Sequence, residues 1–419
     1  MKDKMFKQSV FYTFGVLFFR FSQWFIIVTL PKIFSYQECG VTSLSVSIGS
    51  IFFMLSNFGI RNYQVVDRFN KHDESVYFTL PTLLIIISNI ILLIYLIVFI
   101  KDRISSIVIF SFCLFNFFYS FTEPFAAKLQ MIDELDKYGI AFSLTGLTNL
   151  IIFFIFGYLK KQFIFSICLG NLLSGCVLVL ITIYFYYRKF GFKTFTINFS
   201  LEKNFKLVKD LFPVFMYTVA IMIINTYPKI YMNNKNENDL LGVFCIFSSF
   251  AILIPDFATA VFSPFVNKLS VLKKSNKQID FEHQIKLYFL CVLLYLILCN
   301  SVIISLSKFF FSLLYSIEIV RHISSFYTIV LAMSFYTFVV CFIPVILIYD
   351  KLKTITINAI IILLCLICFE QNFYSFPILK KQGYALLFSF FEQFLLILSL
   401  ILFIMKNNAY KKNQELMNS

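Results

Sequence analysis

Residues 78–100 read FTLPTLLIIISNIILLIYLIVFI, with no charge from end to end. About 20 apolar residues are enough for a helix to cross a hydrocarbon core about 30 Å thick. Inside lipid a backbone has no water to bond, so a run of this kind has to satisfy its own peptide groups as a helix. Working outward from it, comparable runs fall at 9–30, 40–60, 104–127, 139–159 and 162–187, then at 209–231, 240–265, 286–307, 326–350, 353–376 and 383–405. The expectation is therefore an all-α polytopic membrane protein of about twelve transmembrane helices. The connections are short and polar, with no room for a folded domain outside the membrane. Any chemistry or transport has to take place within the helices, which excludes most enzyme classes.

Composition agrees. The chain is 59% hydrophobic and 14% charged, with a mean hydropathy of +0.83, far from a soluble globular protein. Its formal charge of +14 invites a nucleic-acid reading, but the distribution of the bases argues against one. With the N-terminus placed in the cytoplasm, about two thirds of the 36 Lys and Arg fall in cytoplasmic segments, the asymmetry known as positive-inside. The segment 188–208, with Arg188, Lys189, Lys193, Lys203 and Lys206, is among the richest. Both termini are expected in the cytoplasm. The basic start MKDKMFKQ resembles the head of a signal peptide, but the run after it is full length, carries Arg20 and has no small-residue cleavage site, so it reads as the first helix.

Of the 10 cysteines, only Cys39 reaches the outer side, and the Cys365–Cys368 pair lies mid-helix with no histidine near it. Small packing residues are the better reading than a metal or redox site. His72, His283 and His322 fall in separate loops. No cofactor is implied.

The runs divide into two sets of six around 188–208. Pro31-Lys32-Ile33-Phe34 ends the first run and Pro228-Lys229-Ile230-Tyr231 the seventh, and Gly40-Val41 and Gly242-Val243 open the runs that follow. Leu159-Lys160-Lys161-Gln162 and Leu379-Lys380-Lys381-Gln382 join the last two runs of each set. These matches suggest duplication, giving two six-helix bundles related by a pseudo-two-fold axis along the membrane normal. The expected organisation is a first lobe at 1–187, a basic linker at 188–208, a second lobe at 209–405 and a cytoplasmic tail at 406–419.

Charges within spans cost at least about 2.5–3.5 kcal/mol on insertion scales, so each needs a reason. Arg20 sits mid-span with no acid one turn away; Thr13 lies about 20° and Gln23 about 60° around the helix from it. Ser43, Ser47, Ser50, Asn57 and Arg61 form a stripe on the second run, which helix packing explains as readily as a cavity does. Glu123 is equally explained by pairing with Lys128. Thr218, Asn225 and Lys229 align on the seventh run, where Lys229 could simply snorkel. Asp256, Glu370 and Glu392 supply acids to the second set. A basic first lobe suits an anionic headgroup, because guanidinium grips phosphate oxygens as a fork; Arg20, Arg61, Gln23, Asn57 and Lys229 are the candidates. Carboxylates in the second lobe suit a coupling H+ or Na+, with Glu370, Asp256 and Glu392 as candidates.

Phe14-Gly15 through Pro31-Lys32, Gly40-Val41, Asn57-Phe58-Gly59-Ile60-Arg61-Asn62, Pro255-Asp256-Phe257 and the approach from Pro377 to Gly383-Tyr384-Ala385 give the chain a resemblance to the polysaccharide flippases of the multidrug/oligosaccharidyl-lipid/polysaccharide exporter superfamily, and within it to bacterial Wzx-type O-antigen flippases. The resemblance covers the whole chain in length and span pattern. It implies movement of an undecaprenyl-diphosphate-linked oligosaccharide from the cytoplasmic to the periplasmic leaflet of the inner membrane by alternating access. It also implies membrane lipids and other polysaccharide-assembly membrane proteins as partners. The chain differs from the superfamily's drug antiporters in having few acids in its first half, and from the peptidoglycan-precursor flippases in having only twelve spans. Two alternatives remain. One is a membrane polymerase or ligase of the same pathway, disfavoured because the longest outside segment, 308–325, holds only Arg321 and His322 of the Arg and His such enzymes use. The other is a drug or lipid exporter of the same fold.

Overall fold

A computed structural model of the chain describes residues 2–66, 72–132, 134–191, 200–235, 237–274, 278–315, 317–348, 352–372 and 377–417. They are helical almost throughout. The helices are α1 (Lys2–Ile33), α2 (Tyr36–Asn57), α3 (Ile60–Val66), α4 (Glu74–Phe99), α5 (Arg103–Met131), α6 (Leu135–Ile152), α7 (Phe163–Phe190) and α8 (Leu201–Asn234). After these come α9 (Asn238–Ala251), α10 (Leu253–Lys274), α11 (Gln278–Leu314), α12 (Ile317–Arg321), α13 (Ile323–Ile348), α14 (Leu352–Asn372) and α15 (Ile378–Met417). A π-helical stretch, Phe153–Leu159, continues α6.

Each of the twelve expected spans lies mostly on helix among the described residues. Among the described residues, ten helices are long and apolar enough to cross a membrane, and eleven if the bent α8 is one span; α14 contains a shorter apolar stretch, Thr354–Phe369. The boundaries move for local reasons. The second span stops at Asn57 because Phe58 and Gly59 both take positive φ, 55° and 74°, which turns the chain out of the helix. The expected span 240–265 breaks between α9 and α10 at Ile252. Helix α8 starts at Leu201, well before the expected lobe start at 209, and α15 continues through Met417 into the expected tail. The segment 308–325, expected on the outer side, is mostly helix in its described residues, shared by α11, α12 and α13.

The chain forms two compact units, Met1–Ile246 and Phe247–Ser419. In the first, α1 crosses α6 where two glycines meet: a Cβ on Gly15 would lie 2.0 Å from the Gly139 carbonyl oxygen, and one on Gly139 2.7 Å from the Tyr12 Cα. Small residues let membrane helices approach closely enough for dispersion contacts to hold them, since lipid offers no hydrophobic drive between helices. Phe19, Phe115, Tyr138, Phe142 and Leu178 fill the space where α1, α5, α6 and α7 meet. Leu44, Ile48, Phe52, Leu92, Ile109 and Phe117 do the same among α2, α4 and α5. Helix α8 belongs with this unit, packed on α2 and α4. It bends by 52° between Glu202–Pro213 and Phe215–Asn234, as expected where Pro213 removes a backbone donor and its ring presses on the preceding turn.

In the second unit α13 and α15 are the main packed pair, and α10 and α11 lie against α13. Aromatic rings carry the packing: Phe326 against Phe247 and Phe311, and Phe338 against Phe342 and Phe394. Hydroxyls are bonded across helices, the buried Tyr288 to the Cys341 carbonyl and the half-buried Tyr295 to the Ile254 carbonyl, each at 2.8 Å.

Candidate functional site

The turn at Phe58-Gly59 aims α3 so that Arg61 enters the bundle of the first unit. Its Nη1 donates to the Tyr12 hydroxyl at 3.2 Å and to Glu123 Oε1 at 3.4 Å. Its Nε and Nη2 donate to Gln130 Oε1 at 3.3 and 3.2 Å. The guanidinium carbon lies 5.3 Å from the centroids of both the Tyr12 and Tyr138 rings, a cation–π arrangement favoured where water is excluded. Tyr138 also donates to Glu123 Oε1 at 3.1 Å and shares a hydrogen bond with Thr122. With side chains 11% and 6% exposed, Arg61 and Glu123 form a buried pair. The expected Glu123–Lys128 pairing is not made; Lys128 reaches Glu74 instead. Arg61 is thus engaged with α1 and α5, and it ties α3 to the bundle.

Lys229 is placed differently. Its Nζ donates to Ser47 at 2.8 Å and Ser43 at 3.1 Å, joining α8 to α2, and it makes no ion pair among the described residues. Ser47 and Ser50 bond carbonyls of their own helix, so much of the serine stripe serves α2 itself, with Ser43 and Ser47 as the part that receives the lysine.

Arg20 is exposed on α1, in the middle of the candidate span Val10–Ile33, and also lacks an ion pair among the described residues. Gln23, one turn along, lines a cavity of about 10 Å³ with Thr42, Asn149 and Asn171 as its other polar walls, room for about one water molecule. Asn57 is buried, and its Oδ1 has no hydrogen-bond partner among the described residues. The structure therefore does not gather the five headgroup candidates into one constellation. Arg61 is paired, Gln23 and Asn57 are within helix contacts, and Arg20 and Lys229 have no counter-ion among the described residues.

In the second unit Asp256 is half-buried on α10. Glu392 is exposed on α15, midway along the candidate span Ile378–Leu402. The side chains of Glu370, Gln371 and Asn372 lie outside the described residues.

Sequence reasoning missed Tyr12, Gln130 and Tyr138 around Arg61, and the Asn149–Asn171 wall. Asn171 donates to Ser111 at 3.1 Å. The signal for the asparagines was present, since both are amides deep within apolar runs; the tyrosines gave none, because aromatic residues make up 20% of the chain. His72, read as an isolated loop histidine, is buried beside Asp210.

No protein-family model matches the sequence, and no curated protein does. Solved structures do match in fold. The MATE multidrug transporter DinF-BH superposes with a TM-score of 0.67 at 11% identity, covering 95% of this chain and 96% of the other. A mutant of the Vibrio cholerae MATE transporter VcmN gives 0.63 at 11% identity over 95% and 96% of the two chains. A multidrug resistance MATE family transporter of the MOP superfamily, solved in an inward-facing conformation, gives 0.63 at 13% identity over 96% and 95%. The chain is a multi-pass helical membrane protein with the fold of these transporters.

Proposed function

We propose that this protein is a flippase, not an enzyme, that moves an undecaprenyl-diphosphate-linked oligosaccharide from the cytoplasmic to the periplasmic leaflet by alternating access. In this reading the protein lies in the bacterial inner membrane with both termini cytoplasmic, and the lobes 1–187 and 209–405 are the moving bodies. The observation that carries the reading is the pair of intramembrane cations, Arg20 and Lys229, with no ion pair among the described residues. A charge left unpaired in a span costs several kcal/mol unless water or a ligand of opposite sign meets it. A diphosphate is such a ligand, while its prenyl tail can stay in lipid. Glu392, exposed mid-span, supports coupling to H+ or Na+, with Glu370 and Asp256 as the other candidates. Membrane lipids and other polysaccharide-assembly membrane proteins are the proposed partners.

A drug exporter is the second reading, favoured by the fold likeness to multidrug transporters. Trp24, the single tryptophan, lies beside Gln23 and one turn from Arg20, and reports on both readings. Purified protein titrated with undecaprenyl diphosphate should show a saturable change in Trp24 fluorescence that weakens as salt rises. Undecaprenol, which lacks the charge, should give none. A saturable response to cationic dyes, with none to the diphosphate lipid, would support the drug exporter and overturn the flippase.

A further inference from the structure

In the first unit the α1–α6 crossing is tight along one stretch and opens just beyond it. A Cβ on Gly146 would lie 3.0 Å from the Phe19 Cα and 3.3 Å from the Ser22 hydroxyl oxygen, so α6 presses on the backbone of α1 there. Within one further turn of both helices, Gln23 of α1 and Asn149 of α6 line the cavity of about 10 Å³, with Asn171 of α7 and Thr42 of α2 as its other polar walls. Asn149 and Asn171 are only 5% and 2% exposed. A third glycine admits the Asn149 amide, since a Cβ on Gly170 of α7 would lie 2.7 Å from its Oδ1.

Buried amides need hydrogen-bond partners, and here the protein supplies few. Among the described residues the side chains of Gln23 and Asn149 make no hydrogen bond. Ser111 gives its proton to the Val108 carbonyl at 2.8 Å, so it accepts from Asn171 Nδ2 at 3.1 Å. That leaves Asn171 Oδ1 as an acceptor with no donor among the described residues. Thr42 gives its proton to the Glu38 carbonyl at 2.8 Å and offers the cavity lone pairs alone. The walls thus present two fixed acceptors and two amides able to donate. A water molecule donates twice and accepts twice, which matches this set.

We propose that one water molecule is a resident part of the first unit, bonded by Gln23, Asn149, Asn171 and Thr42, and that it holds the Arg20-bearing turn of α1 to α6 and α7. Gln23 lies within a turn of Arg20, and without the water its amide has nothing to bond across the crossing. The site is polar and has room for one water, the two conditions such a molecule requires. A sodium ion would need both free amides to turn their oxygens inward, and no carboxylate lines the cavity to balance its charge. The site stands apart from the headgroup cations, and nothing in it depends on which substrate is carried.

The test is X-ray hydroxyl-radical footprinting of the full chain in lipid vesicles, which makes radicals from water in place and so marks side chains beside a bound water. Phe112 and Ile167 line the cavity. Phe52 and Ile48 are buried to the same degree in the apolar contact among α2, α4 and α5 and serve as matched controls. Phe112 and Ile167 should be oxidised about tenfold faster than these controls, as expected beside a resident water. The difference should vanish in Gly170→Ala, whose methyl group drives the Asn149 amide across the cavity. In the same variant amide exchange over residues 20–26 should quicken by about threefold, as local opening becomes easier. Equal oxidation of cavity and control residues in the parent would overturn the proposal, whether or not the variant folds. So would fast labelling that persists in a folded Gly170→Ala, or cavity labelling that falls when sodium replaces choline, because the occupant is then a cation. Unchanged exchange over 20–26 in a folded variant that has lost the label would overturn the water's part in holding α1.

Discussion

Arg61 shows how a buried charge is kept in an apolar chain. Its guanidinium is met by an acid, an amide oxygen and two tyrosine rings, so the cost of removing it from water is offset by charge-assisted bonds on several sides. Taking away one partner leaves the other charge buried and uncompensated, which costs about 3–5 kcal/mol. Glu123→Ala should therefore lower the thermal unfolding midpoint of the detergent-purified protein clearly. The double variant Arg61→Met with Glu123→Leu should recover much of the loss, because no lone charge is left. A double variant less stable than either single one would show that the pair contributes more than mutual neutralisation. Arg20 follows the opposite logic: it makes no ion pair among the described residues, and its removal should be tolerated by the fold.

At the scale of elements the sequence was legible where physics acts along the chain and opaque where it acts across it. Apolar runs placed the described part of every span mostly on helix, because lipid leaves the backbone no other solution. The early stop of α2 was written in Phe58-Gly59, a pair the sequence reading noticed without reading its φ angles. The Arg61–Glu123 pair joins residues 62 positions apart, and the His72–Asp210 contact joins residues 138 apart; no helical period predicts either. The α1–α6 crossing was equally hidden, since Gly15 and Gly139 look like ordinary glycines until the helices meet. At that crossing Gly139→Leu should separate the two helices. It should destabilise the protein by more than the roughly 1–3 kcal/mol typical of overpacking, because the obstacle is backbone that cannot repack. Gly191→Ala, with no described atom within 4 Å of a Cβ but a φ of +71° that strains any side chain, sets the cost of backbone strain without crowding. Equal unfolding midpoints for the two would remove the crossing from the account of stability.

For the whole molecule, the Lys/Arg asymmetry sets a topology that can be measured directly. A periplasm-active reporter fused after Lys32, Lys160, Lys235 or Lys380 should be active, and one after Lys71, Lys203 or Lys274 silent. Inverted or uniform activity would undo the orientation and the two-lobe reading with it. Coupling belongs to the same scale. Glu392→Gln should leave binding of the diphosphate lipid unchanged but abolish the dependence of its movement on an imposed proton or sodium gradient. If the gradient still matters at parental strength, Glu370 and Asp256 remain to be tested in the same way. The central claim is that intramembrane cations with no ion pair among the described residues carry an anionic lipid across the bilayer. It is tested most directly by reconstituting the full chain in vesicles and following the transfer of an undecaprenyl-diphosphate-linked oligosaccharide between leaflets with an impermeant sugar-oxidising reagent. The parent should transfer it, Arg20→Ala should lose about 10- to 100-fold of the rate, in line with one charge-assisted contact, and Arg20→Lys should fall between, since an ammonium lacks the fork. Transfer by Arg20→Ala at the parental rate, or none above empty vesicles by the parent, would contradict it.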